Sequence, residues 1–345
     1  MRLHLFDNFR AIAILLVVAG HSFDHSINSR NIESLGEMFF RNTILGGTTL
    51  FVFISGLFFY HIYYYKFQYK YFMLKKIKYV FLPYLMLSAI GFVFSVFYVH
   101  NLPLSLFSFA LFLKYLLTGD LFIGYWYIPF IMTMYLISPF FIWQIKWPLK
   151  IKIGVFGGLL CVSMLLHRPL YNINILHSVL YFLPVYMLGI ICAIHKDKAL
   201  EFVKNKTIYL VFCGVLVSLG QILFYGRYGN FHKDYIFDYA GIDVMLLQKI
   251  IMCFFLLSIL QKLDNTKILV FEYIASRSFA IYFLHPIILK LLEFTDLLRK
   301  IHNQHYLHYL SEFVVTFCVL IILSIVLSEI VKFILGKNSR FLIGW

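Results

Sequence analysis

The chain has 345 residues, 61% of them hydrophobic and 13% charged, with a mean hydropathy of +0.83 and a formal charge of +14. Soluble domains average about 45–50% apolar and about 25% charged residues, so the composition excludes an ordinary soluble globular protein. The positive charge argues for membrane orientation and against nucleic-acid binding, because the lysines sit in short connections between apolar runs.

Those runs are about 18–24 residues long, enough to cross a hydrocarbon layer about 30 Å thick. Backbone groups in lipid must be satisfied within the segment, which predicts helices. The predicted spans are 9–25, 43–63, 79–99, 125–144, 151–167, 177–195, 207–225, 241–261, 274–293 and 310–334. The expected fold is all-α: a polytopic integral membrane protein of about ten transmembrane helices, one transmembrane domain over 1–345 with no appended soluble domain. The first run has no small-residue cleavage site behind it and reads as a retained helix. Segment 104–118, set off by Pro103 and Gly119, reads as an interfacial or re-entrant helix or as an eleventh span. Ten crossings with both termini cytoplasmic put about two thirds of the 30 basic residues inside, whereas an eleventh inverts the later lysine-rich segments. Tyrosine and tryptophan cluster at span ends, as an aromatic belt does. The connections 26–42, 100–124, 226–240 and 294–309 are expected to form a modest outward-facing mouth. The five cysteines all fall within apolar runs, so no loop disulfide is expected.

Polar residues inside apolar runs mark the chemistry, since each costs energy where it sits. Arg10 and His21 are separated by eleven positions on the first span. At about 100° per residue they project from one face, about 16 Å apart along the axis. Arg10 then lies near the cytoplasmic border and His21 toward the outer leaflet, with Asp24 and His25 continuing the polar face. Two readings are open: Arg10 snorkels while His21 caps the helix end, or His21 is a general base. The second span opens Gly46-Gly47-Thr48-Thr49 and carries Ser55-Gly56 at mid-membrane. Gly56 suits close helix approach, and Ser55 is a candidate nucleophile with no partner nearby in sequence. Lys66, Lys70, Lys75, Lys76 and Lys78 suit anionic lipid or a phosphate-rich ligand. Trp126 opens the fourth span as belt or pocket wall. His285 precedes Pro286, which is expected to bend the ninth span, and the imidazole either bonds a neighbouring helix or acts in the site. Glu329 needs an internal partner, with Lys332 in reach at i+3, or a functional role. No metal-ligand spacing, phosphate loop or dinucleotide fingerprint is present.

At these residues the chain resembles the acyltransferase-3 family of membrane acyltransferases. RAIAILLVVAGH is similar to the family's first-helix pattern, FVFISGLFF to its second-helix signature and KKIKYVFLPY to its basic entry into the third helix. GYWYIPFIM, YFLPVYMLG and SRSFAIYFLHP follow in order and resemble later blocks. The resemblance departs at Thr48-Thr49, where many members carry an acidic residue, and in the missing second domain of other members.

The resemblance implies a bacterial cell-membrane O-acyltransferase that moves acetyl from cytoplasmic acetyl-CoA to a hydroxyl of a cell-surface glycan or lipid-linked saccharide. By carry-over, His21 and Arg10 are the catalytic pair. Lys75, Lys76 and Lys78 stand near the coenzyme phosphates, and Ser55 is assigned to the same coenzyme. Asp24, His25, Trp126, His285 and Glu329 are the candidate acceptor-binding residues. Transfer is either direct or through a covalent acyl-His21 or acyl-Ser55 intermediate. The rival class is an exporter of a glycan or its lipid-linked precursor, which buried charges in a helical bundle also fit.

Overall fold

The computed structural model describes residues 4–27, 34–95, 106–169, 174–233, 235–263, 266–295 and 309–345. Among the described residues, 84% are helical. Among the described residues, eight helical segments are long and apolar enough to cross a membrane, or ten when each of two broken pairs counts as one crossing.

The first span is α1 (His4–Ile27). The second runs α2 (Leu35–Ile44) into α3 (Gly47–Phe58) and a π-helical turn at Phe59–Tyr63. The third begins earlier than its hydropathy suggests, with α4 (Tyr69–Lys76), and passes through a second π-helical turn at Ile77–Phe81 into α5 (Leu82–Phe94). Segment 104–118 contains α6 (Leu106–Thr118), whose 13 residues extend only about 20 Å. The fourth span is α7 (Tyr127–Leu136) and α8 (Ser138–Ile145), interrupted at Ile137. The fifth and sixth are α9 (Leu149–Leu166) and α10 (Ile175–Ile194), followed by the polar connector α11 (Lys196–Val203). The seventh and eighth are α12 (Thr207–Tyr225) and α13 (Val244–Leu260). The ninth is α14 (Leu269–Ser276) and α15 (Ser278–Phe294), interrupted at Arg277, while the helix runs on through Pro286. The tenth is α16 (Tyr309–Leu335), and α17 (Ser339–Ile343) closes the chain.

Two short strands were not foreseen: β1 (Arg168–Pro169) pairs in parallel with β2 (His232–Lys233), Arg168 opposite His232. The chain divides into two compact units, Met1–Phe67 with Ser138–Leu170 and His177–Ser276, and Gln68–Ile137 with Tyr171–Leu176 and Arg277–Trp345.

The first unit is built on close helix crossings. A Cβ on Gly56 would stand 2.1 Å from the Tyr186 carbonyl oxygen, and one on Gly189 would stand 2.1 Å from that of Phe53. Glycine thus lets α3 and α10 meet backbone to backbone, as expected for Gly56. Gly47 lets α3 approach the Leu16–Val17 backbone of α1 in the same way. Phe9 of α1 packs on Phe53 with ring centroids 5.6 Å apart, and His4 meets Glu272 of α14 at 2.7 Å. Lys249, buried in α13, donates to the carbonyls of Asn42 and Thr43 at 2.7 and 2.9 Å. A cation therefore satisfies the last carbonyls of α2 inside the unit.

The second unit has an aromatic core. Tyr125 donates to the Phe283 carbonyl at 2.9 Å, Tyr282 to that of Gly124 at 2.6 Å, and Tyr84 to that of Leu116 at 2.9 Å. Tyr84 thus ties α5 to α6, and Tyr125 and Tyr282 tie the turn before α7 to α15, with these three phenol hydroxyls paired. The C-terminal segment docks on the third span, with Phe341 stacked on Tyr79 at 5.9 Å.

Candidate functional site

α1 is unbroken from His4 to Ile27, so Arg10 and His21 share one rigid helix. His21 therefore lies within the helix and does not end it. A Cβ added to Gly20, the residue before it, would stand 3.4 Å from Leu45 Cδ2. Leu45 in turn abuts Gly229, whose N–H donates to Asn42 Oδ1 at 2.5 Å. Gly229 has φ +73, a left-handed backbone that turns the chain toward β2. Through this succession the His21 end of α1 and the β1–β2 pairing occupy one region of the first unit.

There Arg168 is 5% exposed and stacks over Phe182 at 5.3 Å. Its charge bears on His21, His232, Tyr181 and Asp243 alike. Asp243 is buried and engaged on both oxygens: Tyr181 donates its hydroxyl to Oδ2 at 2.7 Å, and the Leu246 N–H donates to Oδ1 at 3.1 Å. The second bond is an N-cap of α13. Burial raises the Asp243 carboxyl above its usual range, against the opposing Tyr181 bond. Burial, and then the Arg168 charge, lowers His232 to about 3. His167 is lowered chiefly by burial. His167 also holds φ 55 and ψ −178, a backbone that costs a non-glycine residue about 1–3 kcal/mol. It is fixed by its ring N–H on the Gly241 carbonyl at 3.1 Å, and by His177 donating to its own carbonyl at 3.1 Å. An imidazole, a buried guanidinium and a carboxylate–phenol pair thus gather in one region. Such a set can accept a proton and stabilise negative charge.

The remaining expected residues lie as follows. Arg10 approaches Asp7 at 3.5 Å and stands over the Phe58 ring at 5.6 Å. Ser55 donates its hydroxyl to the Phe51 carbonyl at 2.7 Å. Asp24 and His25 are on the last turns of α1, and their side chains lie outside the described residues.

Lys75, Lys76, Lys78, Trp126, His285 and Glu329 belong to the second unit. Lys75 is exposed, Lys76 stands over Tyr135 at 4.3 Å and Lys78 over Phe341 at 4.9 Å; the first two precede the π-helical turn at 77–81 and the third lies in it. Trp126 is a buried ring against Tyr127 and Phe130 at the start of α7. His285 is fully buried and donates from Nδ1 to the Ile281 carbonyl at 2.7 Å, a bond within its own helix. Glu329 accepts from Arg277 Nε at 2.6 Å, so its ion partner is Arg277, whereas Lys332 lies over Trp345 at 3.6 Å.

Arg168, His232, Asp243 and Tyr181 were not singled out from the sequence. A signal was present. Ends of odd spans and starts of even spans fall on one side, and Arg168 follows the fifth span, Tyr181 opens the sixth and Asp243 precedes the eighth, all on the side of His21.

The apolar helices and the buried polar residues among them define a multi-pass membrane protein. A family model described as an acyltransferase domain matches residues 3–329. The chain belongs to the acyltransferase-3 family. No characterised protein and no solved structure matched it in the other two comparisons.

Proposed function

We propose that this membrane acyltransferase moves an acetyl group from cytoplasmic acetyl-CoA to a hydroxyl of a cell-surface glycan or lipid-linked saccharide in the inner membrane, with His21 as general base. The observation that carries the reading is the family match over residues 3–329, together with the place of His21 within the unbroken α1, in the same region as the buried β1–β2 pairing. The imidazole takes the proton of the acceptor hydroxyl, the oxygen bonds to the thioester carbon and the carbon–sulfur bond breaks. The proton then passes from the imidazolium to the departing thiolate, giving free coenzyme. Lys75, Lys76 and Lys78 supply cations for the coenzyme phosphates, and Arg10 supplies one at the other end of α1 from His21. The engagement of Ser55 with its own helix favours direct transfer over an acyl-serine. Asp24 and His25 extend the acceptor side along α1. His285 and Glu329 serve the second unit's packing and ion pairing.

The test is purified full chain in detergent with acetyl-CoA labelled in the acetyl group and envelope glycan fractions. Label on glycan matched by thiol release supports the reading. Glycan movement across a vesicle membrane without thiol release refutes it and points to an exporter.

A further inference from the structure

Segment 339–345 lies beyond the residues 3–329 that the family model matches, yet the second unit holds it firmly. Ile343 of α17 is 1% exposed, and the buried Ser339 hydroxyl donates to the Gly336 carbonyl at 2.8 Å. The Trp345 ring lies against Lys332 at 3.6 Å and Arg277 at 4.4 Å. Phe341 stacks on Tyr79 with the two rings 12° from parallel. Burial and ring contacts thus fix α17 beside the π-helical turn at 77–81.

That docking gathers like charge. The Arg340 guanidinium stands 4.1 Å from the Tyr79 ring centroid. Lys78 Nζ stands 5.7 Å from the same centroid and 4.9 Å from that of Phe341. Two cations therefore share one stacked aromatic pair. Both are exposed, and among the described residues neither is ion-paired with a carboxylate. Elsewhere in this unit Arg277 meets Glu329 and Lys290 meets Glu293. Like charges held together without a counter-ion repel, and an anion bound between them removes that cost while gaining charge-assisted hydrogen bonds. An arginine fork beside a lysine point charge suits a phosphate, with its several oxygens and up to two negative charges. The rings restrain both side chains beforehand, so less freedom is lost when a ligand binds. Lys78 also lies in a π-helical turn, a distortion frequent at functional sites.

We propose that Arg340 and Lys78 form a phosphate-binding pair for the coenzyme of the acyl donor, so that α17 completes the donor site. The proposal rests on the acyl-transfer reading above, in which Lys78 is one of the coenzyme cations. Anionic lipid headgroups carry the same phosphate chemistry, and the experiment separates the two sources.

The experiment measures binding of radiolabelled coenzyme A to the purified full chain in uncharged detergent, with and without phosphatidylglycerol. Wild type is compared with Arg340→Gln, Lys78→Gln, their double variant and Arg340→Lys, and thermal unfolding is followed in parallel. Each single glutamine variant is expected to weaken coenzyme binding about tenfold, the low end for a charge-assisted hydrogen bond because the pair is exposed. The double variant should lose less than the product of the two, since both cations hold one phosphate. Arg340→Lys keeps the charge and should lose less than Arg340→Gln. Lys337→Gln, which removes another exposed charge close to α17, should bind as wild type. Raising the salt should weaken wild type more than the double variant. Wild-type coenzyme affinity in Arg340→Gln overturns the proposal, and so does a loss equal at low and high salt, which marks a structural effect. Variants that bind coenzyme as wild type but no longer respond to phosphatidylglycerol assign the pair to a lipid headgroup and overturn it as well. Should Arg340→Gln fail to fold, Arg340→Met, which keeps an apolar stem over Tyr79, decides by the same criteria. Absence of coenzyme binding by wild type overturns the acyl-transfer reading itself and is distinguishable from every variant outcome.

Discussion

Replacing Gly189 by alanine tests whether the α3–α10 crossing holds the first unit together. The new Cβ would stand 2.1 Å from the Phe53 oxygen and 3.0 Å from the Leu57 nitrogen. Both are backbone atoms of a packed helix and cannot rotate away, so the helices must part by about 1 Å. Overpacking of this kind costs about 1–3 kcal/mol, offset by about 1 kcal/mol of better helix propensity for alanine. The net expectation is a loss of up to about 2 kcal/mol. Gly56→Ala meets the Tyr186 oxygen at the same 2.1 Å and should cost as much, less than additively with Gly189→Ala because the two share one crossing. Gly157 and Gly158 of α9 have nothing within 4 Å of an added Cβ, so alanine there should be neutral or stabilising by up to about 1 kcal/mol. Equilibrium unfolding of the purified protein in mixed detergent measures all four. If Gly189→Ala proves as stable as Gly158→Ala, the close crossing is wrong.

Other perturbations follow from single contacts. Tyr181→Phe leaves one oxygen of the buried Asp243 without its donor at 2.7 Å and should cost about 1–3 kcal/mol by the same unfolding measurement. Lys249→Met removes the donor to the Asn42 and Thr43 carbonyls, with a loss of about 1–3 kcal/mol; unchanged stability would show that α2 ends some other way. His232 is held near 3 in the fold against about 6.5 in the unfolded chain, so the unfolded state takes up the proton first as pH falls. Its contribution is therefore unaffected above pH 6.5 and declines below it, by no more than about 1.4 kcal/mol per pH unit. His167 acts in the same sense and Asp243, raised by burial, in the opposite one. The contribution of His232 is read as the difference between wild type and His232→Gln over pH 5–7, which should close toward pH 7.

The membrane class was legible because hydropathy reports the solvent each segment meets. The seventh span, expected at 207–225, is the helix Thr207–Tyr225, and the tenth, expected at 310–334, is Tyr309–Leu335. The third span was misjudged at its start. Lys75, Lys76 and Lys78 end an apolar window, yet the helix begins at Tyr69, and Tyr135 and Phe341 accept two of those cations over their rings. The place of His21 inside the first helix was legible because an imidazole in an apolar run is conspicuous. Arg168 was hidden because it reads as an ordinary loop charge. Its burial arises from pairing with His232, far along the chain, which no local pattern encodes. The partner of Glu329 was misjudged for the same reason: the i+3 rule offers Lys332, and the fold supplies Arg277.

The most direct test of the central claim compares His21→Gln with wild type for turnover of acetyl-CoA, alongside coenzyme binding and unfolding. A general base predicts turnover lower by at least about 10²–10⁴ with binding and stability near wild type. A glutamine variant that still acetylates glycan at the wild-type rate would contradict it.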